Sequence, residues 1–202
     1  MKMTLTAAQL ATWKTDITAN TNTVLIGDVP TAINTLNINN GDHAFAIAAW
    51  YNGLASPDFF GNYHNVPASA VMNAVTWKNF TPTDAVPTDT SLNVDIHQGR
   101  TLLAQSYQFN LQTMLVGRDI IDATKASIVG GLKDCLNTNI PTGASGAGQK
   151  CGWSAVQTIL CRKGSRIEKL LADTSGGTGA DNTHAATFTF EGNVTDTDLA
   201  GQ

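Results

Sequence analysis

The chain has 202 residues, of which 42% are apolar and only 14% are charged. The apolar fraction is ordinary for a folded domain, and a net charge of −4 disfavours a protein that coats nucleic acid, since such proteins neutralise phosphates with excess Lys and Arg. No apolar segment approaches the roughly 20 residues that cross a bilayer, so we expect no membrane partner.

Helical periodicity dominates the first part of the chain. A threonine-capped pattern predicts a first helix whose apolar face is formed by Leu10, Trp13 and Ile17. A second, short helix is predicted to start at Asp28, because Pro30 suits a first helical turn.

A third helix is predicted through "HAFAIAAWYN", with Asp42 as its cap and Gly53 at its end. Residues 54–66 predict an ordered loop, and a fourth helix opens at Pro67. The following "TPTDAVPTDT", residues 81–90, has two prolines and no periodicity, and it predicts a linker.

The longest helical pattern runs from about Ser91 to Asp122, a length of roughly 45 Å at 1.5 Å per residue. Its apolar stripe comprises Ile96, Leu103, Tyr107, Leu111 and Met114, widened by Leu102, Phe109 and Val116. Helical patterns resume at residues 124–137 and again in "SAVQTILCRKGSRIEKLLAD".

The last thirty residues differ from the rest. "TSGGTGADNTHA" is typical of a flexible segment, and "ATFTFEG" alternates at strand period near residues 186–191. The predicted fold is therefore mainly α: a helical bundle with one long helix as a body at residues 1–172, and a flexible, extended C-terminal arm with a short β-strand at residues 173–202. The strand could pair with another subunit or with a weak local hairpin.

The charged residues are also distributed differently on the two sides of residue 172. Residues 100–172 carry nine basic and four acidic groups, whereas residues 173–202 carry five acidic groups and no Lys or Arg. The acidic segment could fold back on the basic one, pair with a neighbouring subunit, or remain a solvated tail.

The stretch "PTGASGAGQK" raises the question of a phosphate-binding loop. Gln149 occupies the position of the essential lysine, Lys150 comes one place late, and Cys151 offers no hydroxyl for magnesium. The pattern instead predicts a hinge between two helices, and a nucleotide-binding enzyme that uses the Gly143–Lys150 loop is a remote alternative.

Other catalytic patterns are weak. Cys135, Cys151 and Cys161 lack metal-ligand spacing and predict reduced, buried thiols in a protein made in a cytoplasm. The four histidines are scattered, and no nucleophile elbow is present. We therefore expect no enzyme, and no catalytic, cofactor-binding or metal-binding residues.

Candidate interface residues fall into two sets. The basic cluster "CRKGSRIEK" contains Arg162, Lys163, Arg166 and Lys169, which could contact an acidic protein surface or nucleic acid, or could form a solvated helix face. Aromatic contacts are predicted from the loop "SPDFFGNYHN" and from the C-terminal strand. These aromatic residues are Phe59, Phe60, Phe188 and Phe190.

Four sequence blocks carry a resemblance: "HAFAIAAWYNGLASPDFF", "QFNLQTMLVGRDIIDATKASIVGGLKDCL", "IPTGASGAGQKCGW" and "RKGSRIEKLLA". Together they resemble small virion or neck-region proteins of tailed bacteriophages, over about residues 40–175 and in the strand "TFTFEG". A helical core with an extended arm is similar to head–tail adaptor (connector) proteins.

The resemblance implies a structural protein at the head–tail junction of a virion, made in the host cytoplasm. It implies a cyclic homo-oligomer, commonly of twelve copies, that contacts the portal protein and a tail, nozzle or neck protein, with DNA only passing through the channel. A capsid decoration or cement protein, or another neck protein, is the alternative. Ring size, host, tail type and the face that meets the portal stay open.

Overall fold

The computed structural model describes residues 4–80, 93–137, 140–142 and 147–200. In chain order the elements are α1 (Ala7–Ala19), β1 (Thr23–Ile26), β2 (Val29–Ala32), α2 (Gly41–Asn52), β3 (Phe60–Asn62), β4 (Val66–Pro67), α3 (Ala68–Ala74), α4 (Asn93–Leu115), β5 (Ile120–Ile121), α5 (Ala126–Asn137), β6 (Ile140–Thr142), β7 (Ala147–Gln149), α6 (Trp153–Leu160), β8 (Cys161–Lys163), α7 (Arg166–Leu171), β9 (Ala186–Thr187) and α8 (Asp196–Ala200). The predicted linker at residues 81–90 lies outside the described residues.

The chain forms two compact units. Unit 1 comprises residues 1–62 together with residues 161–202, and unit 2 comprises residues 63–160. This division does not follow the expected boundary at residue 172, because the C-terminal segment belongs to the same unit as the N-terminal helices.

The first helix confirms its prediction. Thr6 caps α1 through a capping box with Gln9, which satisfies backbone N–H groups at the helix start. Leu10, Trp13 and Ile17 are buried on one face, as the helical spacing predicts. The helical spacing of these apolar residues and the capping residue both predict the helix that the structure contains.

The helix predicted from Asp28 is wrong. Residues 23–32 form a hairpin in which β1 pairs antiparallel with β2, and Ile26 lies opposite Val29. Gly27 occupies the first position of the two-residue turn with φ of +59°, a conformation that favours glycine. The turn therefore prevails over the helix-start signal of Pro30, which lies in β2 instead.

The C-terminal segment is part of the unit 1 fold. β3 is the central strand of a three-stranded sheet, antiparallel to β8 and parallel to β9. Beyond β9 the chain continues over α2, and α8 packs against α2 and α1. The unit 1 core includes Leu10, Trp13, Ile17, Ile33, Ile47, Tyr51, Ile167, Leu171, Phe190, Val194 and Leu199.

Unit 2 is built around α4, which packs against α5. The helix ends at Leu115 and not near Asp122, because Gly117 adopts φ of +73° two residues later and the chain turns into β5. Two short pairs, β4 with β5 and β6 with β7, complete the unit. The core includes Val66, Val71, Phe80, Leu111, Leu115, Leu132, Leu136, Val156 and Leu160.

The predicted fold class is therefore wrong. The described residues are mixed α/β, with nine short strands among the helices. The predicted extended arm folds back, since Phe188, Phe190, Val194 and Leu199 bury their side chains in unit 1. In the described part of the chain, we find no helix with the length and hydrophobicity that a bilayer crossing requires.

Candidate protein interaction surfaces

The basic cluster lies at the junction of β8 and α7. Ser165 caps α7 by accepting a hydrogen bond from the N–H of Glu168, and Glu168 accepts one from the N–H of Ser165 in return. Arg162 and Lys163 belong to β8, and only Arg166 and Lys169 lie on the helix. The helical pattern predicted through "SAVQTILCRKGSRIEKLLAD" is therefore interrupted by β8, between α6 and α7.

Arg162 forms its ion pairs with carboxylates of unit 1. Its guanidinium donates to both carboxylate oxygens of Glu168, at 2.9 and 2.7 Å, and lies 3.5 Å from Glu191. It also stands 4.6 Å above the ring of Phe188. One cation thus ties α7 and β8 to the C-terminal segment.

Glu168 is the buried partner, with its side chain only 4% exposed. Burial opposes ionisation, but hydrogen bonds from Arg162 and from the N–H groups of Ser165 and Gly192 outweigh burial, and they lower the pKa of Glu168. The hydrogen bond to Glu168 is in turn the main cause that raises the pKa of Arg162. The pair is charged in the folded protein.

The other three cations are less enclosed. Arg166 donates to the backbone carbonyl of Trp50 at 2.7 Å and stacks 4.5 Å from the Trp50 ring. Lys163 pairs with Asp58 at 2.5 Å, where both side chains are half exposed. Lys169 is exposed, with its Nζ 5.9 Å from the Phe59 ring. Arg166 and Lys169 have no carboxylate partner among the described residues.

Three of the four aromatic residues that were predicted to form an interface have buried side chains. Phe59, Phe188 and Phe190 are 5%, 1% and 2% exposed, and only Phe60 is half buried. Gly61 makes room for the Phe188 ring, because a Cβ there would lie 2.5 Å from its Cε1. These three rings hold the C-terminal segment in place and are not surface contacts in this fold.

Beside Arg166 lies a polar cleft of about 430 Å³. On its wall the hydroxyl of Tyr51 donates to Asp16 at 2.5 Å and accepts from the side chain of Asn20 at 3.0 Å. Burial, followed by the hydrogen bond to Asp16, raises the pKa of Tyr51 far above its usual value. Tyr51 is therefore a neutral structural link between α1 and α2.

Unit 1 also exposes an apolar groove between β1 and α2, of about 520 Å³. We define the β1–α2 groove by Leu25, Phe45, Ala46, Ala49 and Trp50. Leu25 is 64% exposed and Phe45 is 67% exposed. The two alanines give the groove a shallow floor, so a neighbouring backbone could approach closely.

Unit 2 exposes apolar side chains along α4 and at the residue that follows it. Leu102, Phe109 and Val116 are 67%, 67% and 68% exposed and recur at intervals of seven residues. We call these three residues the α4 stripe. No charged residue lies between Arg100 and Arg118, so this part of α4 contributes no charge beside the stripe, while Asp134 of α5 lines the pocket next to Phe109. The sequence pattern predicts these three residues as a widening of the apolar stripe that contains Leu111; in the structure they are exposed, whereas Ala104, Leu111 and Leu115 are buried.

The thiols are protected. Burial raises the pKa of Cys151 to about 11, and it also raises the pKa of Cys135 and of Cys161. In the part of the chain that the structure describes, no three His, Cys, Asp or Glu side chains gather as a metal site would require.

The glycine-rich stretch joins α5 to α6. Residues 143–146 of the questioned loop lie outside the described residues. Pro141 in β6 lies opposite Gly148 in β7, and the carbonyl of Lys150 accepts a hydrogen bond from Asn79. The described ends of the stretch are thus a paired hairpin.

Comparisons with known proteins add no relative. No protein family, no curated protein and no solved structure matches the chain.

Proposed function

We propose that this chain is a structural protein that works by assembling with copies of itself in the virion of a tailed bacteriophage. Within that setting we propose the head–tail adaptor role, in which a ring joins the portal to the tail, nozzle or neck. The resemblance of residues 40–175 to phage neck proteins supports the virion setting. The exposed surfaces support assembly.

The observation that carries the assembly role is the pair of exposed apolar surfaces, one on each compact unit. Phe45 in the β1–α2 groove and Phe109 in the α4 stripe are each two-thirds exposed. Monomeric proteins rarely expose large contiguous apolar patches, and such patches commonly mark protein contacts. Aromatic residues are also enriched at the centres of interfaces.

The charge distribution agrees with protein partners better than with nucleic acid. Arg162 is occupied by Glu168 and Glu191, and Lys163 pairs with Asp58. A DNA-binding face needs several cations available to phosphates, and the internal pairing of this cluster removes two of its four. Arg166 and Lys169 remain as candidate contacts for an acidic protein surface.

A capsid decoration or cement protein, or another neck protein, is the second candidate. Decoration proteins are often rich in β-structure, and the short strands in both units keep this class open. The two classes differ in where they bind: an adaptor binds the portal vertex, and a decoration protein binds the assembled shell.

Sedimentation velocity of the full-length chain, from low to high micromolar concentration, tests the proposal. We expect reversible growth from monomer to a defined oligomer, together with binding to portal rings and not to empty shells. Binding to shells alone would select the decoration role. A strict monomer that binds neither would overturn the proposal.

A further inference from the structure

We propose that the α4 stripe of one copy docks into the β1–α2 groove of the next copy, antiparallel to α2. This inference rests on the proposed self-assembly and names the contact that performs it. The occupant of the groove is thus a second copy of this chain, and the contact joins two different surfaces.

The two surfaces match in chemistry. The stripe presents a large apolar side chain at every seventh residue, on α4 and at the residue that follows it, in a segment with no charged residue of its own. The groove presents Leu25 and Phe45 beside the small side chains of Ala46 and Ala49. An amphipathic helix that lays its apolar face into an apolar groove is a recurrent recognition mode.

The surfaces also match in length. On α2 the lining of the groove runs from Asp42 to Trp50, eight residues along the chain, or about 12 Å at 1.5 Å per residue. Phe109 and Val116 are seven residues apart, a slightly shorter span, so the groove can take two adjacent anchors of the stripe.

Charge sets the direction. Asp42 lies at one end of the groove, and Arg118 follows Val116 by two residues. Both side chains are exposed, and neither forms an ion pair with another described residue. With Phe109 near Ala49 and Val116 near Asp42, the two helices run antiparallel and the two opposite charges meet.

A contact between two different surfaces has a consequence for symmetry. Each copy offers a stripe to one neighbour and a groove to another, so the contact repeats head to tail and closes into a ring when the rotation allows. A stripe that met its own counterpart would produce a two-fold dimer instead. The two arrangements are distinguished by mixing variants.

The experiment uses Phe109→Asp, which damages the stripe, and Ala49→Glu, which damages the groove. Both positions are exposed, so both variants should fold. Matched controls are Leu54→Asp, an exposed apolar side chain elsewhere, and Ala11→Glu, an exposed helical alanine on α1. Circular dichroism and urea unfolding verify that all four variants keep the fold, and sedimentation velocity measures assembly.

We expect each test variant alone to weaken self-association more than about tenfold, since an apolar anchor is lost and a charge enters the contact. The controls should assemble like wild type. A mixture of Phe109→Asp and Ala49→Glu should form a one-to-one dimer that grows no further, because it contains one intact stripe and one intact groove.

The outcomes are separable. If Phe109→Asp alone blocks assembly and Ala49→Glu does not, the stripe meets its own counterpart and the inference is overturned. If wild type assembles and neither test variant weakens it, the contact lies elsewhere, while the proposed function stands. If wild type remains monomeric and binds no portal, the proposed function fails as well.

Discussion

The ion pair between Arg162 and Glu168 gives the sharpest stability prediction. Replacing Arg162 by Met removes both hydrogen bonds to a carboxylate that is 4% exposed and leaves that carboxylate without its cation. Breaking a buried pair in this way typically costs about 3–5 kcal/mol.

Two features of the site reduce this cost. The Arg162 side chain is 35% exposed, and Glu168 keeps hydrogen bonds from the N–H groups of Ser165 and Gly192. We therefore expect Arg162→Met to lower the free energy of unfolding by about 2–3 kcal/mol. Lys163→Met is the matched control, since its pair with Asp58 is half exposed on both sides and should contribute less than about 1 kcal/mol.

The assay is urea unfolding at neutral pH, followed by far-UV circular dichroism and by tryptophan fluorescence, with Trp13 and Trp50 as reporters in unit 1. In the double variant Arg162→Met/Glu168→Gln, the buried carboxylate of Glu168 is replaced by a neutral amide, so we expect much of the loss to be recovered. If Arg162→Met and Lys163→Met differ by less than about 0.5 kcal/mol, the range of ordinary surface substitutions, the buried-pair argument fails.

Gly61→Ala should lower the free energy of unfolding by about 1–3 kcal/mol, because the new Cβ would lie 2.5 Å from the Phe188 ring. Gly41→Ala is the control: there is open space around Gly41, so this substitution should be nearly neutral in the same urea assay. The pKa of Glu168 is lower in the folded protein than in the unfolded chain. The ionised carboxylate therefore stabilises the fold at pH values above the unfolded pKa of about 4.3, and this stabilisation is lost as the pH falls through the folded pKa. The stability difference between wild type and Glu168→Gln should accordingly shrink in acid; a difference independent of pH would contradict the assignment. Cys151, whose pKa burial raises to about 11, should not react with a disulfide reagent at pH 8 until urea unfolds the chain, and rapid labelling of the folded protein would refute its burial.

The helices with local signals could be predicted from the sequence. α1 follows from a threonine cap and three apolar residues at helical spacing, and α5 from the periodicity of residues 124–137. The start of α2 was missed by two residues because Asn40, not Asp42, makes the capping hydrogen bonds. Capping residues and helical spacing of apolar residues lie within or directly beside the helix that they predict, so they can be read from the sequence alone.

The sheets could not be predicted, because their partners are distant in sequence. β3 has three residues, and it pairs with β8 and β9 about one hundred residues or more away. The alternation in "ATFTF" indicated a strand but could not identify its partner, which lies in the same chain. Phe188 and Phe190 of that segment are therefore core residues, and not the interface residues that the sequence predicted.

The same limit applies to the candidate interface. Leu102, Phe109 and Val116 fit a helical apolar pattern equally well whether they face the core or a partner, and only the fold shows that Leu111 and Leu115 take the core side of α4. The basic cluster was visible in the sequence. That Glu168 and Glu191 occupy Arg162 was not, since Glu191 lies 29 residues from it.

Electron cryomicroscopy of the full-length protein, at a concentration where it assembles, would show which surfaces of neighbouring copies meet. We expect a closed cyclic oligomer in which α4 of each copy lies in the β1–α2 groove of its neighbour, with Arg118 beside Asp42. Particles in which the α4 stripe and the groove both face solvent, or in which α4 meets α4 across a two-fold axis, would contradict it.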